Sequence, residues 1–80
     1  MGANKPLASV ARALRILEFL AVNPADGVPL TAISKELGIN KATVHNTLAT
    51  LREYHWVEQD ESTGHYRLGE GIRPIANYKT

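Results

Sequence analysis

Apolar residues recur at helical spacing in three successive segments of the chain. The first segment follows Ser9, which can cap a helix by accepting a hydrogen bond from a free backbone N–H. Its apolar positions form one broad stripe made of Val10, Ala13, Leu14, Ile16, Leu17 and Leu20. Phe19 lies off this stripe, between the directions of Arg12 and Arg15. The pattern predicts a long amphipathic helix that begins after Ser9 and carries an aromatic residue on its polar side.

The second and third segments are separated by a turn at Gly38, a residue that enters the left-handed conformation without steric cost. Ile33 and Leu37 lie four residues apart and predict a short helix, which Thr31 can cap. After the turn, Asn40 is placed to cap the next helix. The inward stripe of that helix consists of Val44, Leu48 and Leu51. Two helices joined by so tight a turn predict a helix-turn-helix.

The other face of the third helix is small and hydrogen-bonding, and it consists of Ala42, Asn46, Ala49 and Thr50. Such a face is short enough to let a helix enter the major groove of DNA and reach base edges. An ordinary helical hairpin with a solvated face has the same pattern, and it is the alternative at this point.

After residue 55, apolar side chains recur at every second position, as in a β-strand, and no longer at helical spacing. Residues 56–60, WVEQD, alternate apolar and polar side chains, and residues 65–68, HYRL, do so again after a turn at 62–64. Residues 28–30 are extended and apolar enough to form a third short strand beside this hairpin. The predicted fold is therefore mostly α (α+β): a winged helix-turn-helix with a three-helix core and a short wing of two to three β-strands.

Four stretches of the sequence resemble the N-terminal domain of the IclR family of bacterial transcription regulators. They are SVARALRILEFL, LTAISKELGINKATVHNTLATL, WVEQD and YRLG, and the match runs from Ser9 to Gly69. The resemblance implies a DNA-binding domain over 9–69, preceded by a flexible arm over 1–8. Residues 70–80 are then the start of a linker helix, with Pro74 in its first turn, toward an absent domain that binds a small-molecule effector. We therefore expect a DNA-binding fragment, with a naturally short protein as the alternative.

The resemblance also implies which residues contact a double-stranded DNA operator. We expect Thr31 to lie at a helix start that holds phosphate, because a helix N-terminus attracts anions. The full set of expected contacts is Thr31, Asn40, Lys41, Ala42, Thr43, His45, Asn46, Thr50, His65 and Arg67. Within it Asn40, Lys41 and Thr43 are expected to bind phosphate or make mixed contacts, and Ala42, His45 and Asn46 to face or flank base edges. Thr50 makes a last backbone contact or is only a solvated residue.

Three positions depart from the family pattern. Asn46 stands where many members carry Arg, so we expect a preference for adenine, whose N6 and N7 suit an amide, over guanine. His55 stands at a helix end where the family usually has a left-handed Gly. Trp56 stands where another aromatic residue is usual, and we expect it to plug the core.

Charge limits how this domain can bind DNA. The net charge is only +1, which is low for a nucleic-acid-binding domain. Glu58, Asp60 and Glu61 place acid at the hairpin tip, so we expect the tip to stay away from phosphate and Arg67 or His65 to make the contact of the wing. Few phosphate contacts predict a shallow salt dependence and a need for two half-sites bound together.

The expected homodimer places its interface on the first helix. An aromatic residue on the polar side of a helix is either a stray surface residue or part of an interface. The IclR family is similar in pairing its DNA-binding domains through this region. We therefore expect Arg12, Arg15 and Phe19 at the dimer interface of the full-length protein.

The composition of the chain limits which classes of protein it can belong to. Eighty residues allow one domain, and the absence of cysteine argues against disulfides and thiolate metal sites. No long apolar run or signal-like N-terminus is present, so we expect a cytoplasmic protein that does not contact the membrane. His45, His55 and His65 are evenly spaced, but they fall on different predicted elements and nothing in that spacing makes them converge. We expect no metal, no cofactor and no enzymatic activity, and the serious alternative is a winged-helix module for protein interaction or dimerisation without DNA binding.

Overall fold

The computed structural model describes residues 7–23 and 26–79 and has the architecture of a winged helix-turn-helix. The elements are α1 (Ala8–Ala21), α2 (Leu30–Leu37), α3 (Lys41–Glu53), β1 (Val57–Gln59), β2 (Tyr66–Leu68), a 3₁₀ turn (Glu70–Ile72) and α4 (Arg73–Ala76). The strands pair antiparallel, with Val57 opposite Leu68. The predicted fold class is confirmed. Most of the expected N-terminal arm, residues 1–6, lies outside the described residues.

The core draws on all three long helices and on the wing. Ile16, Leu20, Ile33, Val44 and Leu48 have no exposed surface. Burying an aliphatic side chain of this size stabilises the fold by about 1.5–3 kcal/mol. The wing closes one side of this core with its buried residues Val57 and Tyr66. The inward stripe predicted for α3 is confirmed by Val44 and Leu48.

The turn between α2 and α3 follows the local chemistry of its residues. Gly38 ends α2 in the left-handed conformation at φ 68°. The hydroxyl of Ser34 donates to the carbonyl of Ile39 at 2.5 Å. Asn40 then caps α3, because its Oδ1 accepts a hydrogen bond from the backbone N–H of Thr43 at 2.8 Å. Both the left-handed glycine and the asparagine cap are confirmed.

Two predicted caps are wrong. α2 begins at Leu30, so Thr31 is already inside the helix, and Pro29 occupies the cap position in an extended conformation. The carbonyl of Pro29 accepts from Ile33 N at 3.2 Å, which starts the helix one residue earlier than a Thr31 cap allows. α1 likewise begins at Ala8 after Leu7, without a side-chain cap, so Ser9 lies within the helix.

The apolar stripe predicted for α1 is divided in the structure. Its C-terminal half lies over the core, where Ile16 and Leu20 are fully buried. Val10 and Leu14, in its N-terminal half, are 52% and 55% exposed. Phe19 is partly buried against the core instead of lying on a polar face. The exposed apolar surface of α1 is therefore at its first turns.

The predicted third strand is reduced to a single residue. Val28 exchanges two hydrogen bonds of 2.8 Å with Tyr66, one in each direction. The pairing stops there because α2 begins two residues later, at Leu30. The wing is thus a two-stranded hairpin with one bridging residue from the segment before α2.

The segment after the wing lies against the turn that ends α3. His55 occupies the left-handed region at φ 62°, the conformation that glycine usually adopts at this helix end in the family that the sequence resembles. Gly69 N–H donates to the carbonyl of Trp56, and Gly71 N–H to that of His55, both at 2.7 Å. A Cβ at Gly71 would lie 2.6 Å from the carbonyl oxygen of Tyr54. This close backbone approach requires glycine.

α4 begins directly after this segment, with Pro74 in its first turn as predicted. Across the ranges 7–23 and 26–79, no helix is long and apolar enough to cross a membrane.

Candidate nucleic-acid interface

α3 presents one uncovered face to solvent. The exposed residues of this face are small or hydrogen-bonding, and they are Ala42, His45, Asn46, Ala49 and Thr50. The opposite side of the helix holds the fully buried Val44 and Leu48. α3 is therefore fixed by its apolar side and leaves the face predicted for base contacts accessible.

The first turn of α3 combines a cap with an exposed cation. The Oδ1 of Asn40 is occupied by the N–H of Thr43, and Lys41 beside it is exposed. Thr43 itself is half-buried. Lys41 is thus the residue of this turn that offers an accessible positive charge.

Thr50 and Thr31 differ in whether their hydroxyl groups are already hydrogen-bonded within the described chain. The Thr50 hydroxyl donates to the carbonyl of Asn46 at 3.2 Å, one turn earlier in α3. In this rotamer it offers only lone pairs, so binding a phosphate oxygen requires the hydroxyl to turn. Thr31 is exposed in the first turn of α2.

Within the wing, the positive charge of Arg67 is offset by neighbouring carboxylates. Arg67 lies 3.3 Å from the carboxylate of Glu58 and 3.5 Å from that of Asp60. Two carboxylates thus lie beside this single guanidinium. His65 is also engaged, because its Nδ1 lies 3.1 Å from the carbonyl oxygen of Asp26. The two wing residues predicted to contact DNA are therefore occupied within the chain.

Asp60 organises the hairpin tip. Its carboxylate accepts from the Ser62 hydroxyl at 2.6 Å and from the backbone N–H groups of Ser62 and Thr63 at 2.8 and 3.0 Å. These hydrogen bonds, with that of the Ser62 hydroxyl the largest, hold the pKa of Asp60 well below its usual range. The tip therefore keeps a full negative charge at neutral pH.

Arg12 and Arg15, expected at a dimer interface, lie on the flank of α1 that faces the helix-turn-helix turn. They line an open recess of about 390 Å³ together with Gly38, Ile39, Asn40 and Thr43. Arg15 Nη2 donates to the carbonyl of Leu37 at 2.9 Å. Sequence reasoning missed this recess, although the spacing of three residues between the arginines places them on one flank.

The opposite flank of α1 is apolar. An open groove of about 550 Å³ runs between this flank and α3. Its walls are mostly hydrocarbon and include Val10, Leu14, Leu17, Leu51 and Trp56, while Asn46 and Thr50 border it. Trp56 is half-buried and packs against the core, as predicted.

The three histidines do not meet. His45 and His55 are exposed on α3 and on the turn after it, and His65 is half-buried beside Asp26. Among the residues that the structure describes, no group of three or more histidine, cysteine, aspartate or glutamate side chains is placed to hold a metal ion.

The chain is similar in sequence to known regulators of transcription. The IclR helix-turn-helix domain model matches residues 9–61. The chain is 38% identical over 77 residues to the probable HTH-type transcriptional regulator ArcR of Halobacterium salinarum, covering 96% of this chain and 28% of that protein. It is 43% identical over 61 residues to the HTH-type transcriptional regulator XynR of Escherichia coli, covering 76% and 24%.

A solved structure agrees with these sequence matches. An IclR transcriptional regulator from Alicyclobacillus acidocaldarius has a TM-score of 0.83 and 34% identity, covering 89% of this chain and 28% of that one. The chain thus spans about a quarter of the length of the relatives it matches. The matched residues include the three core helices and the first strand of the wing. The chain belongs to the IclR helix-turn-helix domain family.

Proposed function

We propose that this chain is the operator-recognition domain of an IclR-type transcription regulator and that α3 binds double-stranded DNA sequence-specifically in the major groove. One observation carries this proposal. The exposed face of α3 offers only small or hydrogen-bonding side chains, while Val44 and Leu48 on the other side of the same helix are fully buried. A major groove admits such a helix and presents base edges that amide and imidazole groups can read.

The proposed roles follow the position of each residue along α3 and its surroundings. Lys41, Asn40 and Thr43 bind phosphate at the start of the helix, and Thr31 does so at the start of α2. Base edges are met by Ala42, His45 and Asn46. The Asn46 amide selects adenine, and Ala42 touches only a thymine methyl group. Thr50 makes the last contact through its hydroxyl.

In the free protein, the cationic side chains of the wing are already engaged, so we expect the wing to contribute few phosphate contacts. The charge of Arg67 is paired with Glu58 and Asp60, and the Nδ1 of His65 is engaged with the Asp26 carbonyl. A protein that neutralises few phosphates has a shallow salt dependence. Usable affinity then comes from two linked domains on two half-sites.

The full-length protein is accordingly proposed to be a homodimer that pairs through α1. The resemblance to the family assigns Arg12, Arg15 and Phe19 to this interface. Since Phe19 packs against its own core, we place the centre of the interface at Val10 and Leu14, which are more than half exposed beside the apolar groove.

The remaining functions belong to the parent protein. The relatives that the chain matches are about four times its length. In the proposed parent protein, the segment that begins at residue 70 leads to a domain that binds a small-molecule effector in the cytoplasm. The operator-recognition domain itself needs neither a cofactor nor catalytic activity.

The acidic wing favours a second candidate, a module that docks a protein without DNA. Such a surface normally offers large apolar or aromatic anchors. The uncovered face of α3 offers Ala42, Asn46 and Ala49 in their place. DNA binding therefore accounts better for the solvent-exposed face of α3.

Selection from a library of random duplexes tests the proposed function. The 80-residue chain is incubated with the library, and enriched sequences are measured by fluorescence anisotropy over a salt series. We expect an enriched motif, tighter binding to it than to shuffled duplexes, and a linear fall of log K with log salt concentration. Absence of any enriched motif, with binding equal on shuffled DNA, contradicts operator recognition.

A further inference from the structure

Two arginines of α1 form a basic recess beside the first turn of α3. Arg12 and Arg15 line it, and Asn40 and Thr43 form its opposite wall. None of the described residues that line the recess is acidic. Arg67 in the wing is paired with carboxylates, whereas neither Arg12 nor Arg15 forms an ion pair with any residue in the ranges 7–23 and 26–79. The positive charge of the recess is therefore uncompensated within the described chain.

Arg12 has an unmet hydrogen-bonding requirement. Its Nε is buried and has no acceptor among the described residues. A buried guanidinium N–H without an acceptor is costly, because it has lost water and gained nothing in exchange. Arg15 uses one nitrogen on the Leu37 carbonyl, and that contact holds its side chain along the recess. Arg15 is thus held in place, while Arg12 keeps a hydrogen-bond donor that no described residue uses.

The recess is separate from the flank of α1 proposed for dimerisation, which carries Val10 and Leu14. Arg12 and Arg15 face one flank of α1, and Val10 and Leu14 face the other. The two surfaces share no residue. An anion in the recess therefore need not compete with a partner subunit seated along Val10 and Leu14.

We propose that the recess binds a phosphate of the DNA backbone, with Arg12 and Arg15 as its ligands. This inference rests on the proposed function, because it assumes that α3 enters the major groove. The DNA strand that borders the major groove then passes the start of α3, where Asn40 and Thr43 form one wall of the recess. Guanidinium groups suit phosphate because their planar N–H donors match its oxygens. The phosphate contacts missing from the acidic wing are supplied by α1.

A carboxylate of a partner subunit is the competing occupant. It has less support, because the recess opens beside the helix that reads DNA and away from the exposed apolar residues of α1.

The test combines protein variants with DNA in which single phosphates are neutralised. The parent chain, Arg12→Ala and Arg15→Ala are titrated with the selected duplex and with copies carrying one methylphosphonate at each position in turn. Arg73→Ala is the control for net charge, because Arg73 is paired with Glu70 beyond the wing. Circular dichroism establishes that each variant is folded. Since the Arg15 side chain is exposed, its variant keeps the test intact should Arg12→Ala fail to fold.

The proposal predicts one position per half-site where the methylphosphonate weakens the parent about tenfold and weakens each arginine variant less. Because the two arginines share this phosphate, each variant should lower the magnitude of the salt slope by less than about 0.9, but by more than Arg73→Ala does. Additive losses at every phosphate, with an unchanged slope, overturn the proposal. Weaker self-association of Arg12→Ala with its phosphate contacts intact assigns the recess to a partner and also overturns it. If the parent binds no duplex at all, the proposed function fails as well.

Discussion

Arg67 lies directly across the hairpin from Glu58, and their charged groups are 3.3 Å apart. We predict that Glu58→Gln increases the affinity for duplex DNA several-fold, because it removes a charge that repels phosphate and releases the guanidinium. Anisotropy titrations at low salt measure the gain. In an Arg67→Ala background the same change should give a smaller gain. Equal gains in both backgrounds would show that Arg67 takes no part.

Lys41 and Asn46 should differ in what their loss does to binding. Lys41→Ala should weaken binding to all duplexes alike and lower the magnitude of the salt slope by about 0.9, because it removes one phosphate contact. Asn46→Ala should instead relax the preference for adenine at one position, by about 1–3 kcal/mol of discrimination, with little change in slope. Titrations against all four bases at that position separate the two. An unchanged base ranking for Asn46→Ala contradicts its role.

Asn40 connects the stability of α3 with the surface at its first turn. Removing the cap in Asn40→Ala should lower the free energy of unfolding by about 1 kcal/mol. For a domain of this size that corresponds to about 4–8 °C in melting temperature. Asn40→Asp keeps an acceptor for the Thr43 N–H, so thermal denaturation should be nearly unchanged while DNA binding weakens through charge repulsion. A melting temperature unaffected in Asn40→Ala refutes the capping contribution.

The exposed apolar flank of α1 predicts a difference between two hydrophobic residues. Leu14→Ser should reduce self-association without loss of stability, because this side chain is more than half exposed. Phe19→Ser should lower stability, because Phe19 packs against the core. Sedimentation at high protein concentration and urea denaturation measure the two effects. Val22→Ser, at an exposed position after α1, is the matched control for surface polarity.

The hairpin tip should respond to acid. The folded chain lowers the pKa of Asp60, mainly through the Ser62 hydroxyl, so the ionised carboxylate stabilises the fold above the unfolded pKa near 4. That contribution should be lost progressively as pH falls below about 4, toward the lower folded pKa. In Asp60→Asn the urea midpoint should therefore change less between about pH 6 and pH 3 than in the parent. Equal pH profiles would contradict the assignment.

Residues whose conformation is decided locally were predicted well. Gly38 and Asn40 act on the next few backbone groups, so their sequence positions suffice to locate a helix end and a helix start. Thr31 was misplaced although its chemistry suits a cap, because the extended Pro29 before it already provides the first helical carbonyl. Competition between neighbouring cap positions is not visible in the residue types alone.

Features that depend on how helices cross were predicted less well. The apolar pattern of α1 shows one broad stripe but does not tell which half of it covers the core, so the exposure of Val10 and Leu14 is known only from the structure. The exposed face of α3 was predicted because its own inward stripe defines it. The recess at Arg12 was not, since it exists only where α1 passes the first turn of α3. Ion pairs across the wing likewise depend on strand register, which places Glu58 opposite Arg67.

The hydrogen bond from Gly71 to the His55 carbonyl couples two ends of the molecule. It joins the beginning of the C-terminal segment to the turn that follows α3 through main-chain atoms, with no room for a side chain between them. A change in the direction of the chain beyond Arg73 would therefore act first on the turn that follows α3. Through that turn it would alter the orientation of the helix that we propose reads DNA.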